Sequence, residues 1–153
     1  MSRFSSLIEP PGRAALTFTL GLAVCVTAFL FAVGLGPDHL PFPVDSRYSD
    51  AVTSHWPNAL FLKRSILDDH TFPLWRPQIM SGQPFAANPL NKVWYPFQWF
   101  VLLVSPIVHL NVLAWLHLVL GGLGMWVWSR RTGLVPLAAA LSAGGYAFAP
   151  RVM

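Results

Sequence analysis

The sequence is short of charge, of acid and of cysteine. Only 10% of its 153 residues are Asp, Glu, Lys or Arg, against about a quarter in a typical soluble domain. A surface surrounded entirely by water is hard to build from so few charges. The balance is basic, with ten Lys and Arg against six Asp and Glu and a net charge of +4. No basic run exceeds a pair such as Arg130-Arg131, so no basic face addresses nucleic acid, which is not an expected partner. The single cysteine, Cys25, excludes a disulfide framework and a thiolate metal site. It stands in an apolar run and reads as a small hydrophobe. Phosphate-binding G-x-x-x-x-G-K-[ST] loops, G-x-S-x-G elbows and H-E-x-x-H pairs are missing, which leaves soluble nucleotide or zinc-hydrolase chemistry without a foothold.

Apolar residues take the place of charge, at 54% of the chain and a mean hydropathy of +0.51. Residues 14–35 carry no charge and exceed the roughly 20 residues a helix needs to cross the hydrocarbon core. The run is also longer than the core of a cleavable signal, so a retained span is expected. Residues 111–128 form the second expected span. Residues 134–148 form the third, somewhat short and rich in Ala and Gly suited to close helix contacts. Residues 97–108 are too short to span and read as an interfacial or re-entrant helix, with Trp94, Tyr95 and Trp99 at headgroup level. Arg3 and Arg13 precede the first span, and Arg130-Arg131 occupy the short turn 129–133. The positive-inside rule places residues 1–13 and that turn in the cytoplasm and the loop 36–96 outside. The expectation is an all-α integral membrane protein with three spans, multi-pass in a plasma (bacterial inner) membrane, in contact with membrane lipid.

The loop holds five aspartates, three histidines and five basic residues, and a connection of that length points to function. Its first part reads as an amphipathic helix on the membrane surface. Asp50 is placed to cap it, while Val52, Trp56, Ala59, Leu60 and Leu67 share one face with the stem of Lys63. Pro57 bends or interrupts the helix, and Asp68-Asp69 ends it. The stretch Pro73–Pro96 follows, with five prolines, two tryptophans, Arg76, Lys92 and two asparagines. Prolines at that density forbid a continuing helix and favour extended backbone. The aromatic content speaks for an ordered loop rather than a flexible linker.

Pro73-Leu74-Trp75-Arg76-Pro77, Gly82-Gln83-Pro84 and Trp94-Tyr95-Pro96 together resemble the first-loop signature of the YfhO-like bacterial membrane proteins, within the group of GT-C fold glycosyltransferases. The likeness runs from about Asp50 to the C-terminus, and Arg76 stands where the family form has Asn. The resemblance implies a GT-C-like N-terminal part of a transferase that moves a sugar from a polyprenyl-phosphate carrier to an extracytoplasmic acceptor. Members have many more than three spans, so the chain is expected to be a fragment completed by further C-terminal spans.

The resemblance also implies that Asp50 acts at the active centre, accepting a proton from the acceptor hydroxyl or helping to hold a divalent cation. An ordinary helix cap explains Asp50 equally well at the level of sequence. Asp45 is a second carboxylate able to share metal or acid–base work, or a solvated loop residue. His55 is a candidate substrate contact, or a structural histidine; it follows Asp50 by five residues, one more than the spacing that best aligns helix neighbours. Arg76 and Lys92 are expected anion contacts, Arg for bidentate phosphate binding, with Trp75 beside them at the substrate. Lys63-Arg64 suit anionic lipid headgroups as well as substrate. His109 and His117 lie on or beside the second span, where a hydrogen bond to another helix accounts for His117. Two rival functions remain: a non-catalytic membrane scaffold docked through the Pro/Trp loop, and part of a transporter. No charge inside a span and no inverted repeat argue against the transporter.

Overall fold

The computed structural model describes residues 12–32 and 49–149, so the expectations for Asp45 and for the N-terminal tail fall outside the described residues. Helices dominate: α1 (Arg13–Ala32), α2 (Trp56–Leu67), α3 (Pro106–Arg131) and α4 (Pro136–Ala147). The only strands among the described residues are β1 (Trp75–Arg76) and β2 (Gln83–Pro84), a two-residue antiparallel pair with Trp75 opposite Pro84 and Arg76 opposite Gln83. The chain divides into two compact units. Of the described residues, one comprises 12–30 and 114–149, the other 31–32 and 49–113.

In the first unit α1 and α3 run antiparallel. Phe18 stacks on Trp126 with centroids 5.1 Å apart, Leu22 meets Gly122, and Trp115 Nε1 donates to Thr27 Oγ1 at 3.0 Å. The buried stripe of α1 is Leu22, Val26 and Leu30, one face of a 3.6-residue repeat. The buried stripe of α4 is Ala139, Ala143 and Ala147, whose methyl groups let backbones approach. A Cβ on Gly122 would lie 2.6 Å from Leu22 Cδ2 and 3.3 Å from Ala147 Cβ, so a larger residue there would push the Leu22 side chain aside. The outward faces are apolar too: Leu16, Leu20 and Val24 on α1, Leu120 and Trp128 on α3, Leu137 and Leu141 on α4.

Among the described residues one helix, α3, is long and apolar enough to cross a membrane. The apolar part of α1, Leu16–Ala32, is shorter. The twelve residues of α4 measure about 18 Å, less than the roughly 30 Å of a hydrocarbon core. The second expected span thus gains five residues at its start. Pro106 takes the first position of α3, where its missing N–H costs no helical bond. Residues 97–108 do not form one interfacial helix. They divide into a 3₁₀ helix, Pro96–Leu102, and the first turn of α3.

In the second unit α2 packs on that 3₁₀ helix around Ala59, Leu62, Phe85, Ala86, Val93 and Val101. The buried face of α2 is Asn58, Ala59, Leu62 and Ser65, whereas Val52 and Leu67 are exposed. The expected apolar face is therefore rotated. Within α2 that face is fixed by Asn58, which bonds Arg76 and Asn91, and Val52 is displaced further by a π-turn at Ala51–His55, in which Trp56 N–H bonds Ala51 O, five residues back. Pro57 cannot donate, and its ring would strike the carbonyl four residues earlier in a regular α-helix. The wider turn relieves that clash and rephases everything before it. α2 ends at Leu67 with Asp68 as its C-cap, as Asp68-Asp69 implied.

Candidate functional site

The Pro-rich stretch is ordered by hydrogen bonds that replace those its prolines cannot make. Trp94 Nε1 donates to Ala86 O at 2.8 Å and Trp99 Nε1 to Val93 O at 2.9 Å. Asn88 caps the short 3₁₀ helix Pro89–Asn91 by accepting from Leu90 N–H at 3.0 Å. Phe72 lies between the rings of Trp94 and Trp99 at 5.9 and 6.3 Å. Between the two short strands Met80, Ser81 and Gly82 all have positive φ. The Trp75 indole lies against the bare backbone of Gly82, where a Cβ would come within 2.5 Å of Trp75 Nε1.

Arg76 points inward from β1 and is nine-tenths buried. Its Nη1 donates to Asn58 Oδ1 at 2.6 Å, Asn58 Nδ2 donates to Asn91 Oδ1 at 2.7 Å, and Asn91 Nδ2 donates to Phe85 O at 2.8 Å. The guanidinium also lies over the Phe61 ring, 5.2 Å from its centroid, a cation–π arrangement. Its Nε is buried without a partner. Burial alone lowers its pKa, with no carboxylate acting on it, and the group remains charged. Arg76 thus joins β1 to α2 through an amide relay, a role its sequence position did not disclose.

Lys92 has a left-handed backbone, φ 55°, as C-cap of the Pro89–Asn91 turn. Burial lowers its pKa, and its ammonium is close enough to His55 to act on it. His55 is half-buried, with Nδ1 buried and unpartnered. Burial lowers its pKa most, Lys92 lowers it further and the Asp50 carboxylate raises it. Asp50 is exposed and makes no side-chain capping bond, so the capping expectation fails. The residue is itself in helical conformation, φ −58° and ψ −26°, whereas a capping residue departs from it.

Asp50, His55 and Lys92 therefore meet electrostatically. Arg76 belongs to the amide relay and Trp75 to the hairpin. Lys63 Nζ donates to Val104 O at 2.6 Å and serves as a strut, while Arg64 is exposed. His109 is fully buried, and its Nε2 shares a hydrogen bond with Gln98 Oε1 at 3.2 Å. Among the described residues no group of three or more His, Cys, Asp or Glu is arranged to hold a metal. Asn58, Asn91 and Gln98 escaped the sequence reading. The only signal for them was their amides amid apolar neighbours, and such amides must be satisfied once buried.

Comparison of the chain with protein-family models, with curated proteins and with solved structures finds no match.

Proposed function

We propose that the chain is part of an integral membrane glycosyltransferase of the kind its Pro/Trp loop resembles, taking a sugar from a polyprenyl-phosphate carrier to an acceptor outside the membrane. The membrane assignment draws support from helices apolar on their outward as well as inward faces, the pattern of a segment with lipid around it. The observation that carries the transferase reading is an exposed, non-capping Asp50 and a half-buried Lys92 that both act on half-buried His55. Lys92 supplies positive charge of the kind that suits a phosphate, and Arg76, with no carboxylate acting on it, is a further such charge in the same loop. Asp50 supplies the acid–base carboxylate. Trp75 offers its ring to the carrier or the sugar.

The test is transfer of labelled sugar from polyprenyl phosphate in membranes carrying the protein. Asp50→Asn is expected to abolish transfer while the protein accumulates normally. A second reading, a non-catalytic scaffold, is favoured by the exposed Leu74, Trp75, Met80 and Trp94 of the loop. It predicts that Asp50→Asn is silent and that Trp94→Ala and Met80→Ser release a bound partner.

A further inference from the structure

The 3₁₀ helix Pro96–Leu102 has its polar and apolar sides inside out. Three residues make one turn of such a helix, so side chains three apart line up on one side. Gln98 and Val101 form the inward line and are buried. Trp99 and Leu102 form a second line, packed against the core. Phe97 and Phe100 form the third, continued by the C-cap residue Leu103, and these are 49%, 41% and 78% exposed. Gln98, the one amide of the helix, thus faces inward, where it shares a hydrogen bond with His109 in the first turn of α3. A buried amide backed by an exposed apolar line reverses the arrangement that water imposes.

We propose that Phe97, Phe100 and Leu103 are a lipid contact, a line about 12 Å long seated at the acyl boundary of the leaflet where α3 enters the bilayer. The proposal rests on reading α3 as a membrane span and is independent of the transferase chemistry. The line ends three residues before Pro106, where α3 begins, and α3 is the helix long and apolar enough to cross a membrane. The Gln98–His109 bond fastens the 3₁₀ helix to that entry. Backbone groups at the join find partners in the protein. Leu103 N–H reaches Phe100 O at 3.1 Å, Lys63 Nζ donates to Val104 O at 2.6 Å, and Val108 N–H reaches Ser105 Oγ at 3.3 Å. Such internal pairing is what an apolar medium demands. At the far end of the line the Tyr95 ring lies 5.5 Å from that of Phe97, an amphipathic ring of the kind that sits at headgroup level. The line itself carries no charge, so its occupant is the apolar part of the leaflet rather than one kind of headgroup.

The contact is read by spin labels on the full chain, with Cys25→Ala, in phosphatidylcholine nanodiscs. Labels are attached one at a time through Phe97→Cys, Phe100→Cys and Leu103→Cys, and for reference through Leu120→Cys on an exposed position of α3. Because these side chains are exposed, replacing them leaves the core in place. Oxygen concentrates among acyl chains, whereas a nickel chelate stays in water. All three labels are expected to collide several-fold more often with oxygen than with the chelate, as Leu120 does. Labels at 97, 100 and 103 open to the chelate, with Leu120 still in lipid, overturn the lipid contact and leave the span in place. Labels shielded from both reagents show the line covered by protein, a second copy or another chain, and overturn it as well. If Leu120 is itself open to the chelate, α3 is no span, and the membrane reading falls together with the contact that rests on it.

Discussion

A guanidinium buried without a carboxylate keeps its charge only where hydrogen bonds and an aromatic face replace water. Arg76 has both, in Asn58 Oδ1 and the Phe61 ring. Removing it leaves a buried amide oxygen without its donor. Arg76→Ala is expected to lower stability by about 2 kcal/mol, read as a lower denaturation midpoint by tryptophan fluorescence in detergent. Arg76→Lys should restore only part of that, because an ammonium lacks the planar fork. An unchanged midpoint in Arg76→Ala would remove the relay from the account. His55 makes stability depend on pH in one direction. Its folded-state pKa lies below the ordinary 6.5, so the unfolded chain binds the proton more readily. The contribution is complete above about 6.5 and is lost as pH falls through the lowered value. Acid unfolding should therefore shift to lower pH in His55→Gln, and no shift would show that the imidazole titrates alike in both states. The sequence marked Arg76, Lys92 and His55 because charge in an apolar chain is conspicuous. It left Asn58, Asn91 and Gln98 unmarked because an amide declares its role only once its partners are placed.

Elements were legible where one periodicity ruled and illegible where proline changed the rule. The end of α2 at Asp68 follows from a short-range signal, whereas α3 begins at Pro106, five residues before the expected span. The rotated face of α2 was not legible either, since a count of apolar residues at a 3.6-residue repeat passes over the buried, hydrogen-bonded Asn58 and Ser65, and carried back through Pro57 it also ignores the extra residue of the π-turn. The strand pair was hidden for a similar reason: two residues are too few to show alternation. What holds that hairpin is Gly82, with φ +109° and the Trp75 indole pressed on it. Gly82→Ala is expected to cost about 1–3 kcal/mol from backbone conformation alone, with the indole displaced as well. Faster proteolysis between Pro77 and Gly82 would report it, and an unaltered cleavage rate would mean the hairpin is not held there.

At the scale of the whole molecule, apolar runs and arginine positions foretold helices, while helix contact depended on which glycine faces a neighbour. Gly122 touches Leu22 and Ala147, whereas nothing lies within 4 Å of a Cβ at Gly124. Gly122→Val should therefore loosen the packing of α1, α3 and α4, and Gly124→Ala should be silent. The denaturation midpoint in detergent would separate the two variants, and equal effects would remove glycine packing as the cause. The membrane reading adds a constraint on sides. Arg130-Arg131 close α3, and on that reading their charge would hold the turn after them in the cytoplasm. The Pro/Trp loop, one crossing earlier, would then belong outside, where a polyprenyl-phosphate sugar and its acceptor would meet Asp50. With Cys25 replaced by Ala, a cysteine at Gln78 should react with an impermeant maleimide on intact cells. A cysteine at Thr132 should react only after the membrane is opened. If Gln78 is labelled only from inside, the loop faces the cytoplasm, and an extracytoplasmic transfer at Asp50 is ruled out whatever the chemistry of its neighbours.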